Sequence, residues 1–184
     1  MTFAYADPPY IGQAKRHYDG EEVDHRALVD ALVEKFPDGW ALSCSSPSLR
    51  LLLSICPVDV RIGAWVKPFC AFKRGVRPAY AWEPVIYRGG RNKNHPPPVK
   101  GGKQTTPKDF HSACITLRKG LVGAKPESVC EWILDLLNAQ SGDCIADIFP
   151  GTGVMGRVAR TRGLATVEVK RGEYPWWEET REAI

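Results

Sequence analysis

The sequence has no apolar run approaching the roughly 20 residues needed to cross a bilayer. Its N-terminus has no basic segment followed by an apolar one, so no secretory leader is expected. Those two absences make a cytoplasmic protein without membrane association the expectation. CxxC pairs are also missing. The six cysteines (Cys44, Cys56, Cys70, Cys114, Cys130 and Cys144) are widely spaced, and most lie in apolar runs. Buried reduced thiols are expected rather than disulfides or a zinc site, and no other metal site is expected. A strong excess of one charge is absent too. A net charge of +4 permits an anionic partner without demanding one. What is present is ordinary for a globular chain: 43% hydrophobic and 25% charged residues over 184 positions. That length is expected to form one domain, 1–184, large enough to bury a real core.

The apolar run Phe3-Ala4-Tyr5-Ala6 is followed at once by Asp7-Pro8-Pro9-Tyr10. So short a run, ended by two prolines, reads as a buried strand that stops abruptly, because proline cannot donate to a sheet ladder. Asp7, Pro8, Pro9 and Tyr10 then form a stiff ledge with a carboxylate before it and an aromatic ring after it. A carboxylate and free carbonyls accept hydrogen bonds, and a ring stacks on flat ligands. The ledge suits a planar group bearing an amine, such as a nucleobase. A strand followed by a proline turn with a surface tyrosine explains the tetrapeptide equally well when it is taken alone.

The rest of the chain supplies context. Residues 11–24 form a polar stretch containing Lys15, Arg16 and His17. Asp24 is placed to cap a helix whose apolar face is Ala27, Leu28, Ala31, Leu32 and Phe36. Strands are expected at 40–44, 58–66 and 81–87, with a helix that opens on Ser46-Pro47 and stops before Pro57. Alternating strands and helices argue for an α/β sheet with an antiparallel edge. From residue 88 to 125 glycine and proline become frequent. Arg88, Arg91, Lys93, Lys100, Lys103, Lys108, Arg118, Lys119 and Lys125 there face one acid, Asp109. A segment so one-sided, in a chain otherwise close to neutral, points to phosphate contacts.

Lys125-Pro126 then opens an amphipathic helix through Val129, Trp132, Ile133, Leu136 and Leu137. A strand at 144–148 leads into Phe149-Pro150-Gly151-Thr152-Gly153, a helix at about 154–162 and a strand at 165–169 ending near Glu168. The glycines allow close backbone approach to a ligand, the helix offers free N–H groups, and a strand-end acid accepts both hydroxyls of a ribose. No Gly-Lys-Ser/Thr follows the glycines and the three-glycine dinucleotide fingerprint is incomplete, so a nucleoside without polyphosphate fits best. In open parallel sheets ligands bind beyond the C-terminal strand ends, which would give the ledge and the glycine turn a common rim.

On these motifs the sequence resembles the S-adenosylmethionine-dependent amino-methyltransferases of DNA. Asp7-Pro8-Pro9-Tyr10 matches the adenine form of their catalytic tetrad. Asp147-Ile148-Phe149-Pro150-Gly151-Thr152-Gly153 is similar to their cofactor motif, with Ile148 for the usual proline and Thr152 for serine. Lys125-Pro126 is similar to the Lys-Pro segment ahead of that motif. Glu168-Val169 with Glu173-Tyr174 looks like the ribose-binding acid and its trailing pair. Trp65-Val66-Lys67-Pro68 and Trp82-Glu83-Pro84-Val85-Ile86 look like the middle strands. The likeness covers nearly the whole chain except the basic insertion. Catalytic motif first and cofactor motif last is the permuted order of the beta-type members.

The resemblance implies a single doubly wound, mostly parallel α/β sheet of the class I methyltransferase, Rossmann-like type. It implies methyl transfer from S-adenosylmethionine to the adenine amine of DNA, double-stranded DNA ahead of RNA. Asp7, Pro8, Pro9 and Tyr10 would be catalytic. Ala6, Asp7, Lys125, Pro126, Asp147, Phe149, Gly151, Thr152, Gly153 and Glu168 would bind the cofactor. Lys15, Arg16, Arg88, Arg91, Lys93, Lys100, Lys103 and Lys108 would contact nucleic acid, with 88–125 as a short target-recognition region. That shortness leaves room for a specificity partner or a homodimer.

Other readings stay open at this level. Cytosine-N4 methylation usually goes with serine in place of Asp7, and a protein glutamine usually goes with asparagine there. RNA is a further amine-bearing substrate. Ring-carbon methylation needs a cysteine, typically in Pro-Cys, which does not occur; Cys56-Pro57 is the reverse. A nucleotide hydrolase lacks its loop lysine. A non-catalytic nucleic-acid-binding module on the same fold is the alternative from a different class.

Overall fold

A computed structural model describes residues 1–14, 22–70, 74–92, 106–116 and 124–169. Lys15, Arg16, Lys93, Lys100, Lys103, Arg118, Lys119, Glu173 and Tyr174 lie outside the described residues. In chain order the elements are β1 (Thr2–Ala6), α1 (His25–Lys35), β2 (Gly39–Ser43), a 3₁₀ turn (Ser46–Ser48), α2 (Leu49–Ile55), β3 (Arg61–Val66), β4 (Trp82–Gly89) and β5 (Phe110–Ser112). They continue with α3 (Glu127–Leu136), β6 (Cys144–Asp147), α4 (Val154–Thr161) and β7 (Ala165–Glu168). No helix among the described residues is long and apolar enough to cross a membrane.

One seven-stranded sheet runs β5-β3-β4-β2-β1-β6-β7. β1 lies at its heart because every residue from Phe3 to Ala6 is buried. Alternation sends Phe3 and Tyr5 to one face, among side chains of α3 and α4. Ala4 and Ala6 face the other way, with Leu28, Val29 and Leu32 of α1 and Leu52 of α2. Helices thus cover both faces, as a doubly wound sheet requires. Asp24 caps α1 as its position suggested: its Oδ1 accepts the N–H groups of Arg26 and Ala27, each at 3.0 Å.

The expected antiparallel edge is not at an edge. All neighbouring pairs are parallel except those of β4 with β2 and β3. The chain crosses from β2 through α2 to β3, leaving one place vacant between them. The hairpin connection of 67–81 then turns β4 back into that place. The thiols also depart in part from expectation. All six cysteines are free, but only Cys44 and Cys130 are buried, and Cys114 is exposed.

The β4 reversal decides what meets at the site. The C-terminal ends of β1, β2, β3, β6 and β7 share one edge of the sheet, and only the start of β4 reaches it. Its far end, at Arg88 and Gly89, pairs with the start of β2, at the opposite edge.

Candidate active site

Asp7 follows β1 directly and Asp147 ends β6. The two strands are parallel neighbours, with Tyr5 opposite Asp147. Asp147 is in turn opposite Glu168, the last residue of β7. The sheet therefore brings the ledge and the glycine turn to one rim.

The Asp7 carboxylate does not stand alone. Nζ of Lys125 donates to both of its oxygens, at 2.7 Å each. Lys125 is buried, as Pro8 is, and lies just before Pro126, the residue ahead of the first turn of α3. Oη of Tyr10 donates to Oε2 of Glu83 at 2.6 Å. The other oxygen of Glu83 accepts from Lys67, and Oε2 lies 3.5 Å from Nζ of Lys125. Nζ of Lys67 sits 4.6 Å from the Trp65 ring centroid.

The electrostatics follow from that packing. Burial pushes Asp7 above the ordinary aspartate range, against the opposing pull of Lys125. Burial alone would also raise Glu83, but Lys125 and Lys67 outweigh it and hold it low. Burial would lower Lys125, yet Asp7 and Glu83 hold it above the usual lysine range. Burial, then Asp7 and Glu83, push Tyr10 well up, so its phenol keeps the proton it donates. Burial pushes the Cys44 and Cys130 thiols up to about 12, so neither supplies a thiolate nucleophile at neutral pH.

On the β6 side the turn needs its glycines. Gly151 has φ +48° and Gly153, which precedes α4, has φ +67°. Among the described residues nothing but the Phe149 carbonyl oxygen, at 3.8 Å, would meet a Cβ on Gly151, so they leave the space above the turn open. Gly153 N–H closes the turn on the Pro150 carbonyl at 2.6 Å, and the Thr152 carbonyl accepts from Arg157 at 2.9 Å. Asp147 is buried, and one of its oxygens accepts from the Phe149 N–H. Its Oδ1 has no partner among the described residues. Burial, then Asp7 and Glu168, push its carboxyl up to about 7. Glu168 lies 3.6 Å from Arg160 and close over Gly156, where a Cβ would fall 2.7 Å from its Oε1.

Several solved structures share this architecture. PvuII DNA methyltransferase, cytosine-N4-specific, superposes with a TM-score of 0.58 at 15% identity, covering 91% of this chain and 74% of that one. The M1.HpyAVI–SAM complex gives 0.56 at 16% identity, covering 99% and 88%. A candidate DNA modification methylase from Thermus thermophilus, complexed with S-adenosyl-L-methionine, gives 0.55 at 15%, covering 98% and 86%. The fold is that of the class I methyltransferases. No protein family profile and no curated sequence matches the chain.

Within this methyltransferase fold the sequence-derived residues divide. Ala6, Asp7, Pro8, Pro9, Tyr10, Lys125, Pro126, Asp147, Phe149, Gly151, Thr152, Gly153 and Glu168 lie at or beside the common rim. Arg88 and Arg91 do not. Arg88 donates to both oxygens of Asp59, at 2.8 and 3.0 Å. Arg91 forks onto Asp143, at 2.6 and 2.7 Å, ahead of the start of β6. Both sit at the opposite end of the sheet, because β4 carries the chain away from Asp7. Lys108 precedes the outer strand β5; its carbonyl accepts from Trp132, and its Nζ lies over Phe110. Glu83 and Lys67 belong to the site but escaped the motif reading. The available signal was a single charged residue in each of two otherwise apolar segments, Trp65-Val66-Lys67-Pro68 and Trp82-Glu83-Pro84-Val85.

Proposed function

We propose that this chain transfers a methyl group from S-adenosylmethionine to the exocyclic amine of adenine in DNA. One observation carries the reading: Asp7 and Asp147, whose Oδ1 has no partner among the described residues, leave adjacent parallel strands at the same edge. One offers a carboxylate to an amine. The other offers a buried acceptor to a cationic ligand, and the open glycine turn beside it leaves room for that ligand.

These residues fit the cofactor. Asp147 would accept from its cationic amino-acid end, Glu168 from its ribose, and the backbone at Gly151 to Gly153 would pass close beside it. When bound, S-adenosylmethionine supplies an electrophilic methyl group on a sulfonium centre. An adenine amine is a poor nucleophile because its lone pair is delocalised into the ring. Asp7 and the Pro8 carbonyl would accept its two hydrogens, favouring a pyramidal nitrogen and stabilising the positive charge that develops on it. Tyr10 would hold the base by stacking. Asp7 would take the proton after transfer, a role that its raised affinity for a proton suits. The base would first leave the duplex stack, at a cost of a few kcal/mol.

The adenine assignment rests on Asp7, the residue found at this place in adenine enzymes. The neighbours include a cytosine-N4-specific enzyme, so the fold alone does not choose between the two amines. Incubation of the purified protein with DNA and labelled cofactor, followed by nucleoside analysis, tests the point. Label in N6-methyladenine is the expected result; label in N4-methylcytosine or none would overturn it.

Two further outcomes follow from the geometry. Gly151→Val is expected to weaken cofactor binding at least about ten-fold by calorimetry, since positive φ disfavours valine and the side chain enters the open space. Unchanged affinity would detach the turn from the pocket. For DNA, the described cations on the site edge include Arg74 and Arg77, exposed on the 67–81 connection, which has no acid and exposes Phe69 and Tyr80, with Trp82 exposed at the start of β4. Arg74→Ala with Arg77→Ala is expected to reduce the salt slope of DNA binding by about two, one per phosphate contact. Arg88→Ala is expected to leave that slope unchanged; the reverse pattern would place the DNA on the other end of the sheet.

A further inference from the structure

The proposed transfer needs the Asp7 carboxylate in one orientation and ionised, and the fold surrounds it with charges that the transfer itself does not use. We propose that Glu83 and Lys125 are positioning residues which, with Lys67, form a row of alternating charge that fixes the Asp7 carboxylate and the Tyr10 ring. The proposal rests on the methyl-transfer reading of Asp7.

Lys67, Glu83, Lys125 and Asp7 follow one another in contact, positive and negative in turn, with side-chain exposures of 10%, 17%, 8% and 21%. They come from the end of β3, the start of β4, the approach to α3 and the end of β1. Only the folded sheet assembles them. Lys125 meets both Asp7 oxygens at the same distance, 2.7 Å, which fixes the plane of the carboxylate. A carboxylate has about four acceptor positions, so two remain for a substrate amine. Glu83 joins the row to the ring by accepting from Tyr10 as well as Lys67. The Trp65 ring lies under both lysines, 4.6 Å from Lys67 and 5.7 Å from Lys125.

Such a row is a poor device for stability. Two buried ion pairs lose much of their attraction to desolvation, and apolar replacements often do as well. Its product is orientation. Lys125 is read by resemblance as a cofactor residue, but its ammonium is spent on Asp7, Glu83 and the rim of Tyr10, 3.5 Å from its hydroxyl. The two roles make different demands. A cofactor ligand acts on cofactor affinity, whereas a positioning residue acts on turnover and on the titration of Asp7.

The titrating and charged groups that face Asp7 are Lys125, Glu83 and Lys67, with Tyr5 of β1, Tyr10, Cys44 beyond β2, Cys130 of α3 and Asp147 of β6. Lys125 lowers the Asp7 titration and Glu83 raises it. Lys125→Met removes the lowering charge, so Asp7 ionises at higher pH and the acid limb of the kcat profile moves up. Glu83→Gln removes the raising charge, so the limb moves down. Opposite movements in two variants are not what a merely structural loss produces.

The experiment uses the full chain, wild type, Glu83→Gln, Lys125→Met and Lys125→Arg. It measures kcat against pH, cofactor affinity by calorimetry, and the Asp7 carboxyl titration in the free protein by ¹³C NMR. Both charge-removing variants are expected to lose at least about ten-fold in kcat, keep cofactor affinity within about two-fold, and move the Asp7 titration in opposite directions. Lys125→Arg is expected to restore the wild-type titration direction and part of the turnover. If Lys125→Met does not fold, Glu83→Gln, which keeps the shape, and Lys125→Arg, which keeps the charge, carry the test. Unmoved titration with unmoved kcat overturns the positioning role. Loss of cofactor affinity with kcat intact returns Lys125 to the cofactor and overturns it as well. A wild-type protein that transfers no methyl group overturns the underlying reading instead.

Discussion

Asp7→Ala is expected to abolish methyl transfer, a fall of at least about 10³-fold, while cofactor affinity stays within about two-fold. The carboxylate is the group placed to accept the amine hydrogen, and the remaining ledge of Pro8 and Pro9 offers only a neutral carbonyl. The same change leaves Lys125 buried beside Glu83 alone, 3.5 Å away. Loss of the nearer of its two carboxylate partners leaves the Lys125 charge under-compensated, so the alanine variant is also expected to melt lower. Asp7→Asn separates the two effects. It keeps the shape and one acceptor but loses the charge, and should likewise be inactive at a smaller cost in stability. Transfer assays beside calorimetry and thermal melts decide it. Wild-type turnover in either variant would contradict the role given to Asp7.

Asp147→Asn is expected to produce a more stable protein that binds the cofactor poorly. Burial, Asp7 and Glu168 raise Asp147 to about 7 in the folded chain, well above an exposed aspartate. The folded state therefore binds a proton more tightly than the unfolded one. The resulting stability is complete below the unfolded value and is lost as pH rises through the folded one. At pH 8 the penalty is of the order of 4 kcal/mol, and a neutral asparagine avoids most of it, leaving a gain of about 2 kcal/mol after its unpaired amide. On the proposed reading the penalty is reversed by a cation. Wild-type affinity for S-adenosylmethionine should rise between pH 6 and 8, with a proton released on binding near neutrality. The asparagine variant should bind about 10–100-fold more weakly and show no such pH dependence. Equal affinity in both proteins would remove Asp147 from the cofactor site.

Much of this arrangement was legible because local chemistry left few alternatives. Two prolines after Phe3-Ala4-Tyr5-Ala6 could only end a strand, and the strand is β1. Asp24 before a three- and four-residue apolar spacing could only open α1. Gly151 and Gly153 read as a turn between strand and helix that allows close backbone approach, and the turn is there, with positive φ at both. What was not legible depends on which strands become neighbours. Nothing in 81–87 announces that β4 inserts between β2 and β3, yet that insertion carries Glu83 to Tyr10 and takes Arg88 and Arg91 to the other end. Lys125 shows the same limit. Its place before Pro126 suits the family's cofactor segment, while its partner Asp7 lies 118 residues away in sequence. Arginines counted together in one basic segment are separated by Asp59 and Asp143, whose pairing is visible only in the folded chain.

The central claim is that Asp7 presents a base amine for methylation, and the most direct measurement is modified-base sequencing of DNA from cells expressing the protein. Wild type and Asp7→Asn would be expressed in a host lacking adenine methylation of its own. N6-methyladenine in the wild-type DNA and none in the variant is the result expected. Methylation of cytosine, methylation that survives Asp7→Asn, or unmodified DNA in both would contradict it.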